Sequence, residues 1–133
     1  MDAKGAREIL FRGKRIDNGE WVEGYFVNLW LMHYQKHQPI ITDNNAVSYD
    51  VDPYTVCQYT GLTDKNGKKI FEGDIMAFTA YGFDYVGTVE FADGSFSIMC
   101  EHTSPFLDQA VSKHGAYIIG NMHDNPELLN GAE

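Results

Sequence analysis

The residues best suited to acid–base chemistry lie in the stretch QYTGLTDKNGKKIFEGDI, residues 58–75. Glu72 and Asp74 flank Gly73 there, and two carboxylates can act as general acid and base when burial separates their pKa values. Acidic residues beside a glycine bend more often form turns, because they accept hydrogen bonds from nearby backbone N–H groups. The sequence therefore favours a structural role for both carboxylates, and a small enzyme with a carboxylate or histidine site is the alternative.

Metal binding is the second chemistry that the residue types allow. His33 and His37 are four residues apart, a spacing that puts two imidazoles on one face of a helix. Further ligands could come from Cys57, Cys100, His102 and His123. The segment LWLMHYQKHQPI does not read as a helix and the cysteines are not closely paired, so we expect neither a metal nor a cofactor. The chain also lacks a G-x-S-x-G nucleophile elbow and a phosphate-binding G-x-x-x-x-G-K-[ST] loop.

The charge is distributed unevenly. The chain has a net charge of −9, but residues 1–15 carry +3 and residues 16–133 carry −12. This acidity opposes nonspecific binding to nucleic acid, which needs a basic face. Arg12, Lys14 and Arg15 nevertheless form a basic segment that could bind a partner. A nucleic-acid-binding module that uses this segment is a second alternative.

Two features indicate the cellular setting. The start, MDAKGAREILFRGKR, has no apolar segment after its charges, and no later run is long enough for a membrane helix. Two cysteines are too few for a disulfide framework, so both are expected to be reduced. We predict a cytoplasmic protein that does not associate with a membrane.

Strand patterns dominate the chain. REILFRG reads as a first strand, and an Asn-Gly pair then leads into a second strand that begins at Trp21. One face of this second strand carries Trp21, Glu23, Tyr25, Val27 and Leu29, and the other carries Val22, Gly24, Phe26 and Trp30. The alternation does not say which of the two faces is buried. PIITD and AVSYDVDP read as short edge strands around a loop, and TVCQYTGL as a strand that Gly61 ends. Asn66-Gly67 indicates a primed turn, and Gly73 indicates a bend before a strand over residues 74–80.

The clearest hairpin is GTVEFADGSFSIMC, with Asp93-Gly94 as a two-residue type I′ turn. Glu90 and Ser97 then share the solvent face. The opposite face, predicted to be buried, carries Val89, Phe91, Phe96 and Ile98.

The last third of the chain carries the helix signals. TSPFLDQAVSK is predicted to be a helix with Ser104 as N-cap and Pro105 at the first helical position, ending at Gly115. AYIIG is predicted to be a strand, and DNPELL a single helical turn.

These segments together resemble the YopX family of small proteins encoded by bacteriophages and prophages. The resemblance rests on REILFRG, QYTGLTDKNGKKIFEGDI, GTVEFADGSFSI and IIGNMHDNPELL, and it runs nearly end to end. It implies a fold that includes an SH3-like β-barrel and implies no catalytic residues. The family-motif positions, which local patterns assign to turns and strand starts, are Tyr59, Thr60, Gly61, Leu62, Asp64, Gly67, Glu72, Gly73 and Asp74. The segment from Val27 to Asp52 resembles the family least.

We therefore expect a mainly β protein, an SH3-like β-barrel with an additional N-terminal β unit and one or two short helices. Residues 1–53 would form the N-terminal β unit, and residues 54–133 the barrel with a short C-terminal helical turn, the two together making one compact domain. The expected function is a non-enzymatic accessory of a phage or prophage that binds an unidentified host or phage protein in the bacterial cytoplasm. Nucleic acid is a less favoured partner, and a homo-oligomer is compatible with the sequence.

Overall fold

The structure, a computed structural model, describes residues 8–130. Lys4 and Arg7, which contribute to the predicted basic start and first strand, lie outside the described residues. Contacts between Cα atoms divide the chain into two compact units, Met1–Tyr59 and Thr60–Glu133. The chain is mainly β, with two antiparallel sheets, as the strand patterns predict.

The first sheet has the strand order β4-β3-β2-β1-β5-β6, and the boundary between the units falls within β5. Its strands are β1 (Phe11–Lys14), β2 (Trp21–Leu31), β3 (Lys36–Thr42), β4 (Ser48–Asp50), β5 (Cys57–Thr63) and β6 (Lys69–Phe71), and a 3₁₀ turn, Pro53–Thr55, precedes β5. The second sheet has the order β10-β7-β8-β9. Its strands are β7 (Asp74–Ala80), β8 (Phe83–Ala92), β9 (Ser95–Met99) and β10 (Tyr117–Asn121), and the helices are α1 (Leu107–His114) and α2 (Glu127–Asn130).

The predicted SH3-like barrel is not confirmed. Within residues 8–130 both sheets are open, because the first ends in β4 and β6 and the second ends in β10 and β9. Short strands and glycine turns are common to open sheets and barrels. Closure depends on pairing between strands that are distant in the chain, which local patterns do not encode.

Two strands of the first unit depart from their predicted form. β3 begins at Lys36 and lies between β2 and β4, so only β4 of the predicted edge pair is an edge strand. Pro39 is accommodated inside β3, where its carbonyl accepts a 3.1 Å hydrogen bond from the Val51 N–H. β5 continues past Gly61, which adopts a φ of 89° within the strand and does not end it.

The predicted β8–β9 hairpin has the expected register and turn. Asp93 and Gly94 both have positive φ, 53° and 84°, as a type I′ turn requires, and Val89 pairs with Ile98. Burial differs from the prediction at two positions. Phe91 near the tip is 55% exposed, whereas Ser97, predicted to face solvent, is buried; its backbone forms an isolated β-bridge with Phe106.

The start of helix α1 was predicted wrongly. Ser104 and Pro105 precede the helix, which begins at Leu107 with Phe106 as N-cap. The Pro105 carbonyl accepts a 3.0 Å hydrogen bond from the Ile98 N–H, so this segment is held against β9 in an extended form. Pairing of the Pro105 carbonyl with β9 thus prevents the helix from starting at Ser104, although Ser104 is a favourable N-cap residue. The end is as predicted, since Gly115 adopts the left-handed conformation with a φ of 62°.

Each unit has its own buried residues. In the first unit, Ile41 and Val51 are fully buried, and the Cα of Gly13 lies close to both side chains. In the second unit, α1 packs its Leu107 and Ala110 into a cluster with residues of both strand and loop: Ile70, Met76, Phe78, Ala80, Val89, Ile98 and Ala116.

The loops that begin at Asp43 and Asp64 are the same turn used twice. In each, the aspartate N–H donates to the carbonyl four residues later, at 2.9 Å to Val47 and 2.8 Å to Lys68. In each, the fourth residue has positive φ, 64° at Ala46 and 81° at Gly67. Asn66 has no positive φ, so this is a type I turn followed by a left-handed residue, and the predicted primed turn is wrong.

This repetition predicts the effect of exchanging the fourth residue. Ala46→Gly should raise the free energy of unfolding by about 0.5 kcal/mol, because glycine adopts a left-handed conformation without the strain that a Cβ causes. Gly67→Ala should lower it by a similar amount, since a Cβ there meets no atom within 4 Å and adds strain alone. Urea unfolding of the two variants measures both changes in the free energy of unfolding. If both variants were stabilised, or both destabilised, the two loops would not share a left-handed fourth residue.

Candidate functional site

The central family motif forms the turn that begins at Asp64 and the strand and turn residues around it. Asp64 is only 5% exposed, and its Oδ1 accepts from the N–H groups of Asn66 and Lys68, both at 2.9 Å. Its Oδ2 accepts a 3.0 Å hydrogen bond from the Ile118 N–H in β10. Burial acts to raise the pKa of this carboxyl, but the N–H groups of Ile118, Lys68 and Asn66 outweigh it, so the pKa lies below its ordinary value of 3.8. The carboxylate therefore fastens the turn to a distant strand.

Of the other motif residues, Tyr59, Thr60, Gly61 and Leu62 lie in β5, Glu72 and Gly73 form the turn between β6 and β7, and Asp74 begins β7. Asp74 is buried and accepts a 2.8 Å hydrogen bond from the Phe71 N–H, which is the local bond expected at a glycine bend. The Thr60 hydroxyl donates to the Ile70 carbonyl at 2.8 Å. Gly73 has a φ of 84° and precedes Asp74 directly. These contacts give Thr60, Gly73 and Asp74 structural roles in the strands and turns of the motif.

The basic residues lie in and beside β1, a strand flanked by β2 and β5. The guanidinium carbon of Arg12 and the ammonium of Lys14 lie 4.7 and 5.4 Å from the ring centroid of Trp21. Arg15 lies over the Tyr49 ring and donates two hydrogen bonds to the Asp17 carboxylate, at 2.9 and 2.6 Å. All three cations are half-buried and engaged within the first unit. Such contacts reduce their availability to phosphates.

The histidines are not arranged as metal ligands. His33 lies in the turn between β2 and β3, and His37 lies in β3 with its ring 5.0 Å from that of Trp30. The spacing of four therefore does not place them on one helical face. No group of three His, Cys, Asp or Glu side chains in residues 8–130 could hold a metal ion.

An open groove of about 850 Å³ in the second unit is lined by Cys100 and several aromatic and aliphatic side chains. Burial raises the pKa of the Cys100 thiol above its ordinary value of 9.0, so the sulfur is protonated at neutral pH. The Cys100 Sγ approaches the Ile98 carbonyl at 3.8 Å, and His102 on the groove wall is paired with the Glu101 carboxylate at 3.6 Å. A protonated thiol is a poor nucleophile, so burial disfavours a nucleophilic role for Cys100.

The outer part of the β2–β3 hairpin, residues 25–38, carries six large apolar side chains that are exposed to solvent. We call this segment the ribbon. Its exposed side chains are between 42% and 79% accessible: Tyr25, Val27, Leu29, Trp30, Met32 and Tyr34. Monomeric proteins seldom leave so many large apolar side chains exposed together, and such patches mark interaction sites.

The β2–β3 hairpin extends beyond the strands that pair with its edges. β1 pairs with β2 only from Trp21 to Gly24, and β4 pairs with β3 only from Ile40 to Thr42. The sequence left open which face of β2 is buried, and in the structure neither face is buried along its whole length, since Trp30 on the Phe26 face is exposed as well. Phe26 packs toward the buried side, with its ring 5.6 Å from that of Phe11, whereas Tyr25 and Val27 point to solvent.

The ribbon also differs from the rest of the chain in charge. Residues 24–42 contain no Asp or Glu and one Lys, in a protein whose net charge is −9. From its weak resemblance to the family, the sequence indicated residues 27–52 as the first place to look for partner specificity, but it did not predict which side chains there are exposed. The signal available was apolar residues on both faces of a strand together with the absence of acids.

The described chain is thus a mainly β protein with two open antiparallel sheets, two short α-helices and an uncovered apolar ribbon. It belongs to the YopX family, because the family model described as YopX protein matches residues 10–130. The chain is similar to a solved structure, the crystal structure of protein EF1440 from Enterococcus faecalis. The two are 27% identical, with a TM-score of 0.60 over 93% of this chain and 99% of that chain. Comparison with curated proteins gives no significant match. Within residues 8–130, no helix has the length and apolar character needed to cross a bilayer.

Proposed function

We propose that this protein is a non-enzymatic protein-binding module of a phage or prophage, acting in the bacterial cytoplasm, and that the ribbon is its binding surface. One observation carries the proposal, the six large apolar side chains exposed over residues 25–34. Trp and Tyr are enriched among the residues that dominate binding energy, and three of the six are of these types.

Two observations weigh against the other functions. Arg12, Lys14 and Arg15 are held by the rings of Trp21 and Tyr49 and by Asp17, which disfavours nucleic acid as the partner. Asp74 bonds to a backbone N–H of its own bend, which disfavours an acid–base role beside Glu72.

Affinity capture with matched variants tests the proposal. The tagged chain is expressed in a bacterial host together with an untagged copy, and captured proteins are quantified after nuclease treatment. The ribbon variant combines Leu29→Thr, Trp30→Thr and Met32→Ser, since threonine preserves strand propensity while removing apolar area. The control variant combines Tyr54→Ser, Phe83→Ser and Met122→Ser, which removes exposed apolar side chains elsewhere.

We expect the wild-type and control chains to retain a stoichiometric protein partner, and the ribbon variant to lose it by at least about 30-fold, as truncation of a dominant aromatic residue does. Recovery that disappears with nuclease would overturn the proposal in favour of nucleic acid. Equal capture by all three chains would exclude the ribbon as the surface.

A further inference from the structure

We infer that the second unit has a binding surface of its own, the edge of β8 at residues 83–86, which takes an extended basic segment of another protein as an added strand. The inference goes beyond the proposed function, because it concerns a different surface and a different kind of contact from the ribbon. Added strands bind through backbone hydrogen bonds, and the side chains beside the edge select the sequence that is bound.

The edge exists because β9 leaves β8 before β8 ends. β9 pairs with β8 only as far as Met99, which lies opposite Thr88. Beyond that pair the chain turns back, since the Cys100 N–H donates to the Thr103 carbonyl at 2.9 Å, and it returns along the outer side of β9. Residues 83–86 therefore pair with β7 on one side, and no strand within residues 8–130 pairs with them on the other.

Two residues of this edge direct their backbone groups to the open side. The turn between β7 and β8 has two residues, 81–82, with φ of 55° and 84°, so Phe83 lies in a hydrogen-bonded pair with β7. Bonded pairs alternate along an antiparallel ladder, so Tyr85 also bonds to β7, whereas the N–H and C=O groups of Asp84 and Val86 point away from it. These four groups can bond to an added strand.

The groove of about 850 Å³ lies along this edge and is not confined to one face of the sheet. Asp84 and Val86 have their side chains on one face of β8, and Phe83 and Tyr85 have theirs on the other. All four side chains nevertheless line the groove, and Glu101 lines it beyond the end of β9. A strand that pairs with Asp84 and Val86 would therefore occupy the groove itself and contact side chains of both faces.

The side chains around the groove favour a basic occupant. The described residues that line it include two acids, Asp84 and Glu101, and neither Lys nor Arg. Asp84 Oδ1 accepts a 2.6 Å hydrogen bond from the Thr79 hydroxyl, which holds this carboxylate at the edge. The rings of Phe83, which is 66% exposed, and Tyr85 can accept a cation on their faces. A guanidinium or ammonium group in the groove thus meets both carboxylates and aromatic rings.

The same charges disfavour a second copy of this chain as the occupant. Two chains that each carry a net charge of −9 repel each other, and pairing through this edge would bring their copies of Asp84 close together. A charged residue on an exposed edge commonly protects a protein against self-pairing. An extended segment with Arg or Lys at alternate positions is attracted instead, because opposite charges that face each other across two strands stabilise the pairing.

Three synthetic peptides test the kind of partner. The basic probe is Arg-Thr repeated four times, and the methylated probe is the same peptide with every backbone nitrogen methylated. The acidic probe is Glu-Thr repeated four times. Fluorescence anisotropy of the labelled peptides measures their binding to the full chain. We expect saturable one-to-one binding of the basic probe and at least about 10-fold weaker binding of the other two, which lack either the backbone donors or the positive charges.

Matched variants of the chain test the place of binding. Val86→Pro should weaken binding of the basic probe at least about 10-fold, because it removes the N–H that points to the groove and leaves the bonds to β7 intact. Asp84→Asn combined with Glu101→Gln should weaken it by a similar factor. Glu90→Gln combined with Asp93→Asn removes two exposed acids outside the groove and should leave binding unchanged. Circular dichroism checks that each variant is folded.

Amide hydrogen exchange, followed by NMR, tests whether a strand is added. With the basic probe bound, exchange of the Asp84 and Val86 amides should slow at least about 10-fold. Exchange of the Tyr85 amide, which already bonds to β7, should change less than about twofold. This alternation distinguishes an added strand from a cation that is held by side chains alone.

Deletion of residues 131–133, which follow the groove-lining Asn130, is a further control and should leave binding unchanged. Binding that appears only after this deletion would overturn the inference, because the edge would then not be open in the full chain. Failure to bind the basic probe, equal binding of the methylated probe, or equal weakening by the Glu90 and Asp93 control would overturn it as well. None of these results alters the ribbon, so the proposed function stands or falls separately by its own capture experiment.

Discussion

Asp64→Ala should lower the free energy of unfolding by about 3 kcal/mol, a large share of the stability of a small protein. The substitution removes one acceptor from three backbone N–H groups, those of Asn66, Lys68 and Ile118. A buried donor that loses its partner costs about 1–3 kcal/mol, and bonds to a charged acceptor are the stronger ones. Urea or thermal unfolding measures the loss.

The loop at Asp43 supplies the matched control. Asp43 Oδ1 accepts from the N–H groups of Asn45 and Val47 at 2.9 and 3.0 Å, the same two bonds as in the central turn. These bonds are exposed, so water can replace the lost acceptor, and Asp43→Ala should cost about 1 kcal/mol. Equal losses in the two variants would show that the bond to Ile118 and the burial of Asp64 contribute nothing.

The acid dependence of the same site has a defined direction. Because the pKa of Asp64 in the folded chain lies below 3.8, the ionised carboxylate stabilises the fold fully above that value. This contribution is lost as the pH falls through the lower, folded-state pKa. The stability difference between the wild-type chain and Asp64→Asn should therefore narrow in acid, measured from about pH 7 down to about pH 2. A difference that widens in acid would contradict the assigned shift.

Gly24→Ala should be the most damaging small substitution in the first unit, with a loss of at least about 3 kcal/mol. A Cβ at this position would overlap the carbonyl oxygen of Thr42 and lie 2.7 Å from its carbonyl carbon. Both are backbone atoms of β3, so relief requires that β2 and β3 separate. The same change at Gly13 is the control, because its Cβ would meet side-chain atoms at 3.1–3.4 Å and should cost about 1 kcal/mol.

Chemical unfolding of both glycine variants measures these losses. Circular dichroism in the native state shows whether the strand signal of the first unit persists. The prediction would be wrong if Gly13→Ala lowered the free energy of unfolding by more than Gly24→Ala does. That result would exclude the close approach of β2 to β3 at Gly24.

Local patterns predicted the elements that local chemistry determines. The Asp93-Gly94 turn, the strand after Gly73 and the end of α1 at Gly115 each depend on residues whose backbone preferences are strong. The elements that failed depend on distant pairing. Ser104 is a good N-cap residue, but the carbonyl of the neighbouring Pro105 bonds to β9, so the helix begins later. The sheets are open because of how strands that are distant in the sequence pair with each other.

The candidate site could be predicted only in part. The apolar alternation of β2 was visible, and it placed Tyr25, Val27 and Leu29 on one face. Their exposure was not visible, because it depends on whether another element packs on that face of β2, which the residues of β2 alone do not encode. A pattern of apolar residues indicates a face to be covered and does not say whether the covering strand belongs to the same chain.

The two oxygens of Asp64 accept hydrogen bonds from donors at very different distances along the chain. Oδ1 bonds to residues two and four positions along the chain, so this half of the turn can close as soon as residues 64–68 have been synthesised. The bond from the Ile118 N–H to Oδ2 cannot form until Ile118, 54 residues later in the chain, has been synthesised. We therefore expect a nascent chain that ends before β10 to hold this turn by the two Oδ1 bonds alone, and the third bond to the carboxylate to form only when β10 has been added.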